Sequence, residues 1–245
     1  MLVKQKLKYI QSLGQKKFRQ QEKLFIAEGP KLVKELLEAE SSLVKEVFAL
    51  KEWISENEKI LVKVPVTEIS EVELERISQL TTPNKVLAIA RQFDEDIKII
   101  TKGKITLALD CIQDPGNLGT IIRTADWFGV EQIVCNKDSA EVYNPKVVQA
   151  TMGSIARMKV IYTDLKEWLA EQKDVSIIAT TLDGQDISSV RKIKEGIIVF
   201  GNESKGISAD ILELSNVKLC IPKKGKAESL NAAVAVGIIL STIIT

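Results

Sequence analysis

The sequence of 245 residues contains no histidine. This absence excludes Ser-His and Cys-His nucleophilic mechanisms and removes the commonest transition-metal ligand. The three cysteines, Cys111, Cys135 and Cys220, form neither a CxxC pair nor a zinc-type spacing. We interpret them as buried free thiols, which fits a reducing cytoplasm.

Long apolar runs and a strong overall charge are also missing. The most apolar stretch, 232–245, is too short to span a bilayer, and the N-terminus lacks the apolar region of a signal peptide. The formal net charge is only +1, but residues 1–35 hold nine basic residues and three glutamates, which leaves +6. This segment could attract phosphate, although a solvated lysine-rich helix explains the charge equally well.

Apolar strands alternate with helical segments along the whole chain. In the first part, the patterns predict a basic helix over 2–20, strands over 24–28, 43–50, 59–65 and 85–92, and helices over 30–40, 51–57 and 68–79. In the second part they predict strands over 105–110, 131–136, 158–162, 175–180, 196–201 and 217–222, and helices over 118–128, 147–151, 164–172 and 230–242.

This alternation predicts an α/β fold with two domains. Residues 1–92 would form a small N-terminal α/β domain, the charged segment 93–104 a linker, and residues 105–245 the second domain. The strands of the second domain are almost continuously apolar, which indicates a parallel sheet with helices on both faces.

Three chemically unusual loops follow strands of the second domain, and ligands bind beyond the carboxyl ends of such strands. We name them loop one (CIQDPGNLG, 111–119), loop two (GNESKGIS, 201–208) and loop three (IPKKGKAESLN, 221–231). Loop two matches neither GxGxxG nor a Walker A loop. The convergence of the three loops predicts a binding site.

Several side chains in these loops have both a structural and a functional interpretation. Asn117 could cap a helix that begins near Leu118, or it could act in the site. Arg123, on a mostly apolar helix face, could hold a phosphate or carboxylate bidentately. Ser208 and Ser229 are typical helix caps, whereas Asn231, expected just inside the last helix, is a poor helix former.

Loop two combines glycine with polar side chains. Gly201 and Gly206 would permit close approach of the backbone to a flat ligand. Glu203 could accept hydrogen bonds from the loop and hold its shape.

Together the three loops resemble the SpoU family of RNA ribose 2′-O-methyltransferases, within the SPOUT superfamily. DPGNLGTIIRTADWFGV, FGNESKGIS and IPKKGKAESLNAAVAVGI are similar to its three motifs in order and spacing. FIAEGPKLVKELLEA and TTPNKVLAIA resemble the substrate-binding extension of the family, and YNPKVVQATMGSI resembles a segment between the first two motifs.

The resemblance implies a C-terminal trefoil knot, a homodimer formed through the C-terminal domain, S-adenosylmethionine as methyl donor and an RNA ribose as acceptor, without a metal. The catalytic positions it implies are Asn117, Arg123, Glu203, Ser229 and Asn231. The donor-binding positions it implies are Thr180, Gly201, Ile221, Ser229 and Leu230. Ser204 and Lys223 depart from the family pattern, and Lys223 could change how the donor pocket closes.

Arginine is a poor base, so we hypothesise that Arg123 holds the RNA phosphate and stabilises the developing alkoxide. Asn117, Ser229 and Asn231 would orient the ribose or the methionine end of the donor, and Glu203 would support its loop. Ribosomal RNA is the preferred substrate and transfer RNA the alternative. Two other classes stay open: a non-catalytic RNA-binding assembly protein of this fold, and an α/β enzyme that clamps a nucleotide or other small molecule with Arg123.

Overall fold

The computed structural model describes residues 2–93 and 98–244. The chain divides into two compact units: unit 1 is Met1–Asp94 with Tyr143–Ala156, and unit 2 is Glu95–Val142 with Arg157–Thr245. Residues 94–97 of the predicted linker lie outside the described residues. The domain boundaries at 92 and 105 stay a prediction.

Ten α-helices and β-strands precede the gap in the described residues. They are α1 (Lys4–Ser12), α2 (Lys16–Glu22), β1 (Leu24–Glu28), α3 (Pro30–Glu40), β2 (Val44–Ala49), α4 (Lys51–Glu56), α5 (Glu58–Leu61), β3 (Val66–Glu68), α6 (Glu71–Ile77) and β4 (Val86–Arg91).

The elements after the gap begin with a strand and end with a helix. They are β5 (Ile105–Leu109), α7 (Pro115–Trp127), β6 (Gln132–Asn136), α8 (Pro145–Thr151), β7 (Lys159–Thr163), α9 (Leu165–Ala170), β8 (Ile177–Asp186), β9 (Gly196–Phe200), α10 (Ala209–Glu213), β10 (Val217–Cys220) and α11 (Ala232–Ile243).

Unit 1 is built on a four-stranded mixed sheet with the order β1-β4-β2-β3. Strand β4 pairs antiparallel with β1 and β2, and β3 pairs parallel with β2. One core cluster joins the helices to this sheet. It contains Ile10 of α1, Leu13 just after α1, and Leu74 and Ile77 of α6, together with residues of the strands. Burial of such side chains contributes roughly 1.5–3 kcal/mol each, so this core holds the basic helix α1 in place.

Helix α8 belongs to unit 1, although the sequence places its segment in the second domain. The segment packs on β1, where the rings of Tyr143 and Phe25 lie 5.0 Å apart between centroids. The hydroxyl of Tyr143 also accepts a hydrogen bond from the amide of Phe93 at 2.8 Å. Two stretches that are distant in sequence therefore fold as one body.

Two element predictions for unit 1 were wrong. The basic helix over 2–20 is two helices, because the chain turns at Leu13–Gln15. The predicted strand 59–65 contains α5 instead, and the short strand β3 follows it. A brief apolar run such as KILV does not by itself distinguish a helix from a strand.

Unit 2 is built on a six-stranded parallel sheet with the order β10-β8-β9-β5-β6-β7. Its central strand β5 is buried along its whole length, as the apolar run ITLAL predicts. The fold class expected for this part of the chain is therefore confirmed. In the described part of the chain, no helix is both long and apolar enough to cross a membrane.

The predicted starts of two helices in unit 2 were wrong, and both errors concern the loops. Helix α7 begins at Pro115, three residues before the predicted start, and Asp114 rather than Asn117 is its N-cap. Helix α11 begins at Ala232, and its N-cap is Asn231 rather than Ser229. Ser208 does occupy the N-cap position of α10, but its side chain makes no capping bond.

Candidate functional site

The three loops leave the carboxyl ends of β5, β9 and β10, and they lie at one edge of the sheet of unit 2. Loop one ends in α7. The first turn of this helix is held by a hydrogen bond of 2.8 Å, which the backbone N–H of Asn117 donates to the Asp114 carboxylate. Because the Asp-Pro pair at 114–115 supplies both cap and first helical residue, Asn117 points its side chain from the first turn of a rigid helix.

The side chains of three loop residues form one directed chain of hydrogen bonds. The amide nitrogen of Asn231 donates to the side-chain oxygen of Asn117 at 2.8 Å. The amide nitrogen of Asn117 donates in turn to the Glu203 carboxylate at 2.5 Å. Glu203 and Asn231 lie 86 and 114 residues beyond Asn117 in the sequence, so these bonds join three distant segments at one point.

A second set of bonds holds loop two against the end of β5. The buried carboxylate of Asp110 accepts from the backbone amide of Ser208 at 2.8 Å and from the side chain of Asn136 at 3.2 Å. The side chain of Asn202 donates to the Cys111 carbonyl at 2.9 Å and accepts from the backbone amides of the two residues after Glu203. Loop two is therefore fixed before any ligand binds.

The glycine at the start of loop two has a structural role inside the loop. A Cβ at Gly201 would lie 2.2 Å from the carbonyl carbon of Gly206, so the absent side chain lets the loop close on itself. Two backbone bonds between Asn202 and Gly206 complete this closure. Close approach of the Gly201 backbone to a flat ligand stays a prediction, and closure of the loop is what the contacts give.

A cavity of about 850 Å³ opens between loop two, loop three and the end of β8. Its apolar lining includes Phe200, Leu219, Ile221 and Ile239. The charged residues at its wall are Asp183, Glu203, Lys205, Lys223, Lys224 and Glu228. A mainly apolar pocket with a few polar groups is typical of small-molecule sites.

One polar atom in this wall has no partner in the folded protein. Among the described residues, Thr181 Oγ1 is buried and makes no hydrogen bond, a state that costs about 1–3 kcal/mol. The neighbouring Thr180 hydroxyl instead donates to the Val199 carbonyl at 2.9 Å. The cavity wall combines apolar side chains with polar and charged ones, so the cavity fits a partly polar molecule such as S-adenosylmethionine.

The structure places the predicted donor-binding residues together and separates one predicted catalytic residue from them. Thr180, Gly201, Glu203, Ile221, Ser229 and Leu230 line the cavity. Asn117 and Asn231 join it through Glu203. Arg123 does not line the cavity, is exposed on α7, and makes no hydrogen bond or ion pair with the residues the structure describes.

Three residues of the site were missed by the sequence reasoning. Sequence reasoning selects Thr180 as a donor-binding position but selects neither its neighbour Thr181 nor Asn202. Asp110 carried a recognisable signal, because it is an acid that directly follows the apolar strand ITLAL at the carboxyl edge of the sheet.

The thiols near the site are not activated nucleophiles. Burial and the neighbouring Asp110 carboxylate raise the pKa of the Cys111 thiol. Burial alone raises the pKa of Cys135. The thiolate is the reactive form, and a raised pKa lowers its fraction at neutral pH, so we interpret Cys111 and Cys135 as structural residues.

The parallel sheet and its cavity place the chain among α/β proteins that bind a ligand outside the carboxyl ends of their strands. The model of the SpoU rRNA Methylase family matches residues 104–241, and that of the MRM3-like substrate binding domain matches residues 4–88. The chain therefore belongs to the SpoU rRNA methylase family, as the three motifs predict.

Relatives and solved structures agree with this assignment along nearly the whole chain. The 23S rRNA (guanosine(2553)-2′-O)-methyltransferase RlmP of Bacillus subtilis is 32% identical over 96% of this chain and 94% of its own. An AdoMet-bound rRNA methyltransferase from Sinorhizobium meliloti is 30% identical, with a TM-score of 0.84 over 98% of this chain and 94% of its own. The SpoU methyltransferase AviRb from Streptomyces viridochromogenes shares the fold, with a TM-score of 0.84 at 22% identity over 97% and 96% of the two chains.

Proposed function

We propose that this protein transfers a methyl group from S-adenosylmethionine to a ribose 2′-hydroxyl of ribosomal RNA in the cytoplasm. The observation that carries the proposal is the cavity of unit 2, whose wall holds both an unpartnered Thr181 hydroxyl and the Glu203 carboxylate. RlmP of Bacillus subtilis and the Sinorhizobium meliloti protein are both named as rRNA methyltransferases, which supports ribosomal RNA as the substrate class.

The donor supplies an activated methyl group on a sulfonium, so the protein must align the attacking oxygen and manage its proton. Ile221 and Leu230 offer apolar contact to the flat part of the donor, and Thr181 offers a hydrogen bond. Gly201 keeps loop two folded at the cavity wall. Ser229, which is freed from the capping role by Asn231, is available to the donor or the ribose.

The place of Arg123 supports a homodimer that is formed through unit 2. Helix α7 presents a stripe of exposed residues, Gly116, Thr120, Arg123 and Trp127, and Trp127 is 84% exposed. Helix α11 packs against α7 and adds Val234, which is 51% exposed. We assign these exposed apolar side chains to a contact with a second copy, which would bring Arg123 to the cavity of that copy.

The trefoil knot implied by the family stays part of this proposal. The chain leaves β10 at one edge of the sheet and returns as α11 against α7, the helix that follows central strand β5.

Replacement of Arg123 by lysine tests the role of its planar group. Lysine keeps the positive charge but loses the bidentate fork, so we expect a fall in kcat of about 100-fold while calorimetric binding of the donor is unchanged. The matched control is Arg157→Lys, which alters a surface pair with Asp126. A wild-type rate in Arg123→Lys would refute the role.

Mixing two inactive variants tests whether Arg123 acts across the dimer. Random exchange of Arg123→Ala and Glu203→Gln subunits produces heterodimers in which one site holds both native side chains, if the arginine comes from the second copy. We expect about a quarter of the wild-type rate from the mixture. No recovered activity, with heterodimers present by mass, would place Arg123 in the site of its own subunit, and full activity of Arg123→Ala alone would place it outside catalysis.

Transfer RNA is the second candidate substrate, and a non-catalytic RNA-binding protein is the rival class. Titration of the protein with S-adenosylmethionine separates the rival, since an enzyme of this kind binds the donor. Transfer of labelled methyl groups to purified rRNA or tRNA then separates the two substrates.

A further inference from the structure

The chain of hydrogen bonds from Asn231 to Glu203 has a fixed direction, set by the helix that Asn231 caps. The side-chain oxygen of Asn231 accepts from the amides of Ala233 and Val234 at 3.0 and 3.3 Å. Because those amides can only donate, the Asn231 oxygen must face the helix and its nitrogen must face Asn117.

The orientation then passes on to the next two residues. The oxygen of Asn117 accepts from Asn231, so the nitrogen of Asn117 must face Glu203. Glu203 is therefore an acceptor at Oε1, and the 2.5 Å contact suits a carboxylate. Neither amide can rotate without placing two acceptors or two donors against each other.

This arrangement leaves one oxygen of Glu203 for the ligand. Within the described residues, Oε2 of Glu203 has no hydrogen-bond partner, and the residue is half-buried at the cavity wall. Asp183 and Glu228, the other acids at the wall, are exposed and are not held by any side-chain bond in the described part of the chain. Glu203 is thus the carboxylate that the fold positions.

We propose that Glu203 takes the proton of the attacking ribose hydroxyl, and that Asn117 and Asn231 are positioning residues that aim it. The inference rests on the proposed methyl transfer. As the 2′-oxygen forms its bond to the methyl carbon, the bond from that carbon to the donor sulfur breaks and the sulfur keeps the electron pair. The hydroxyl proton passes to Oε2 of Glu203, which later releases it to water.

This assignment gives Arg123 and Glu203 different roles in the reaction. An arginine stays protonated at any working pH and is suited to holding phosphate, whereas a carboxylate can accept a proton. With no histidine in the chain, the aimed carboxylate is the available acceptor at the cavity wall.

Exchange of the two partners of the central bond tests the proposal. In Asn117→Asp, two carboxylates face each other, and we expect kcat to fall by about 100-fold or more. In the double variant Asn117→Asp with Glu203→Gln, the new amide at position 203 donates to the new carboxylate at position 117. The native Asn231 donates to that carboxylate as well, so the bonds are restored with the carboxylate at the wrong position.

For this double variant we expect native thermal stability and an unchanged KM for the donor. Its kcat should nevertheless be as low as that of Glu203→Gln, because neither variant keeps the positioned carboxylate at residue 203. Single-turnover assays and thermal melts of the three variants measure this split between folding and rate.

A second variant tests the positioning role of Asn231. Asn231→Asp keeps the helix cap but cannot donate to Asn117, and we expect kcat to fall about tenfold with the donor KM unchanged. The matched control is Asn144→Asp, the same change at the cap of α8, which should keep the wild-type rate.

The outcomes separate this inference from the proposed function. A wild-type kcat in the double variant or in Glu203→Gln would overturn the proton acceptor, while methyl transfer by the native protein would still stand. Failure of the native protein to bind S-adenosylmethionine or to methylate RNA would overturn the proposed function itself.

Discussion

Two glutamates, Glu28 in unit 1 and Glu203 in unit 2, differ in how their carboxylates are hydrogen-bonded. In unit 1, buried Glu28 accepts from the hydroxyl of Ser78 and, at 2.7 Å, from the amide of Gln79, so both of its oxygens are occupied. In unit 2, Glu203 has one occupied oxygen and stands at a cavity wall. A carboxylate with hydrogen bonds to both oxygens joins segments of the fold. A carboxylate with one oxygen left without a partner, at the wall of a cavity, can still accept a hydrogen bond from a ligand.

The largest expected effect comes from removing each carboxylate in turn. We expect Glu203→Ala to lower kcat by about 100- to 10,000-fold, the range of a lost general base, with little change in the free energy of unfolding. Glu28→Ala should leave kcat per folded molecule unchanged. Single-turnover assays with circular dichroism of both variants measure this, and a similar loss of kcat in Glu28→Ala would remove the contrast.

The stability effect of Glu28 comes next in size. Its removal breaks the two hydrogen bonds that the buried Glu28 side chain accepts, so we expect Glu28→Ala to lower the free energy of unfolding by about 2 kcal/mol. Glu28→Gln keeps an acceptor for the Gln79 amide and should lose less. Urea unfolding of the two variants measures the difference, and equal losses would contradict the hydrogen-bond account.

Glu28 should also make stability depend on pH. Desolvation by burial, opposed by the bonds from Ser78 and Gln79, raises the pKa of Glu28. The folded state then holds this proton more tightly than the unfolded state, so its contribution is complete at low pH and is lost as pH rises through the raised pKa. The unfolding free energy of the native protein relative to Glu28→Gln should therefore fall as pH rises above about 4.3.

The smallest expected effect distinguishes two adjacent hydroxyls. Thr181→Val removes an unpartnered group, so we expect unchanged or higher stability and donor binding weakened by about 1 kcal/mol, roughly fivefold. Thr180→Val removes the bond to Val199 and should cost about 1 kcal/mol of stability. Thermal melts with and without the donor compare them, and unchanged affinity in Thr181→Val would exclude its contact with the donor.

Much of this arrangement can be predicted from the sequence because it depends on local pattern. The apolar runs predict the parallel strands of unit 2, and three motifs predict the family and the loops that meet. The start of α7 could also have been predicted, since Asp114 and Pro115 form a standard cap and first turn.

The remaining features depend on contacts between distant residues. Serine and asparagine are both good N-cap residues, so the local sequence does not decide between Ser229 and Asn231. In the structure Asn231 caps α11, and it also donates a hydrogen bond to the distant Asn117. Thr180 and Thr181 are alike in sequence, and only the pairing of β8 with β9 decides which hydroxyl is occupied. The place of α8 in unit 1 likewise follows from packing on β1 rather than from local pattern.

The most direct test of the account is a map of methyl groups on RNA after reaction with labelled S-adenosylmethionine. Ribosomal RNA from a strain that lacks this protein is incubated with the native protein and with Glu203→Gln, and the product is digested with alkali. We expect the label of the native reaction in an alkali-resistant dinucleotide, the mark of a 2′-O-methyl ribose, and labelling that is roughly 100-fold slower with the variant. Label on a base, or equal labelling by the two proteins, would contradict the account.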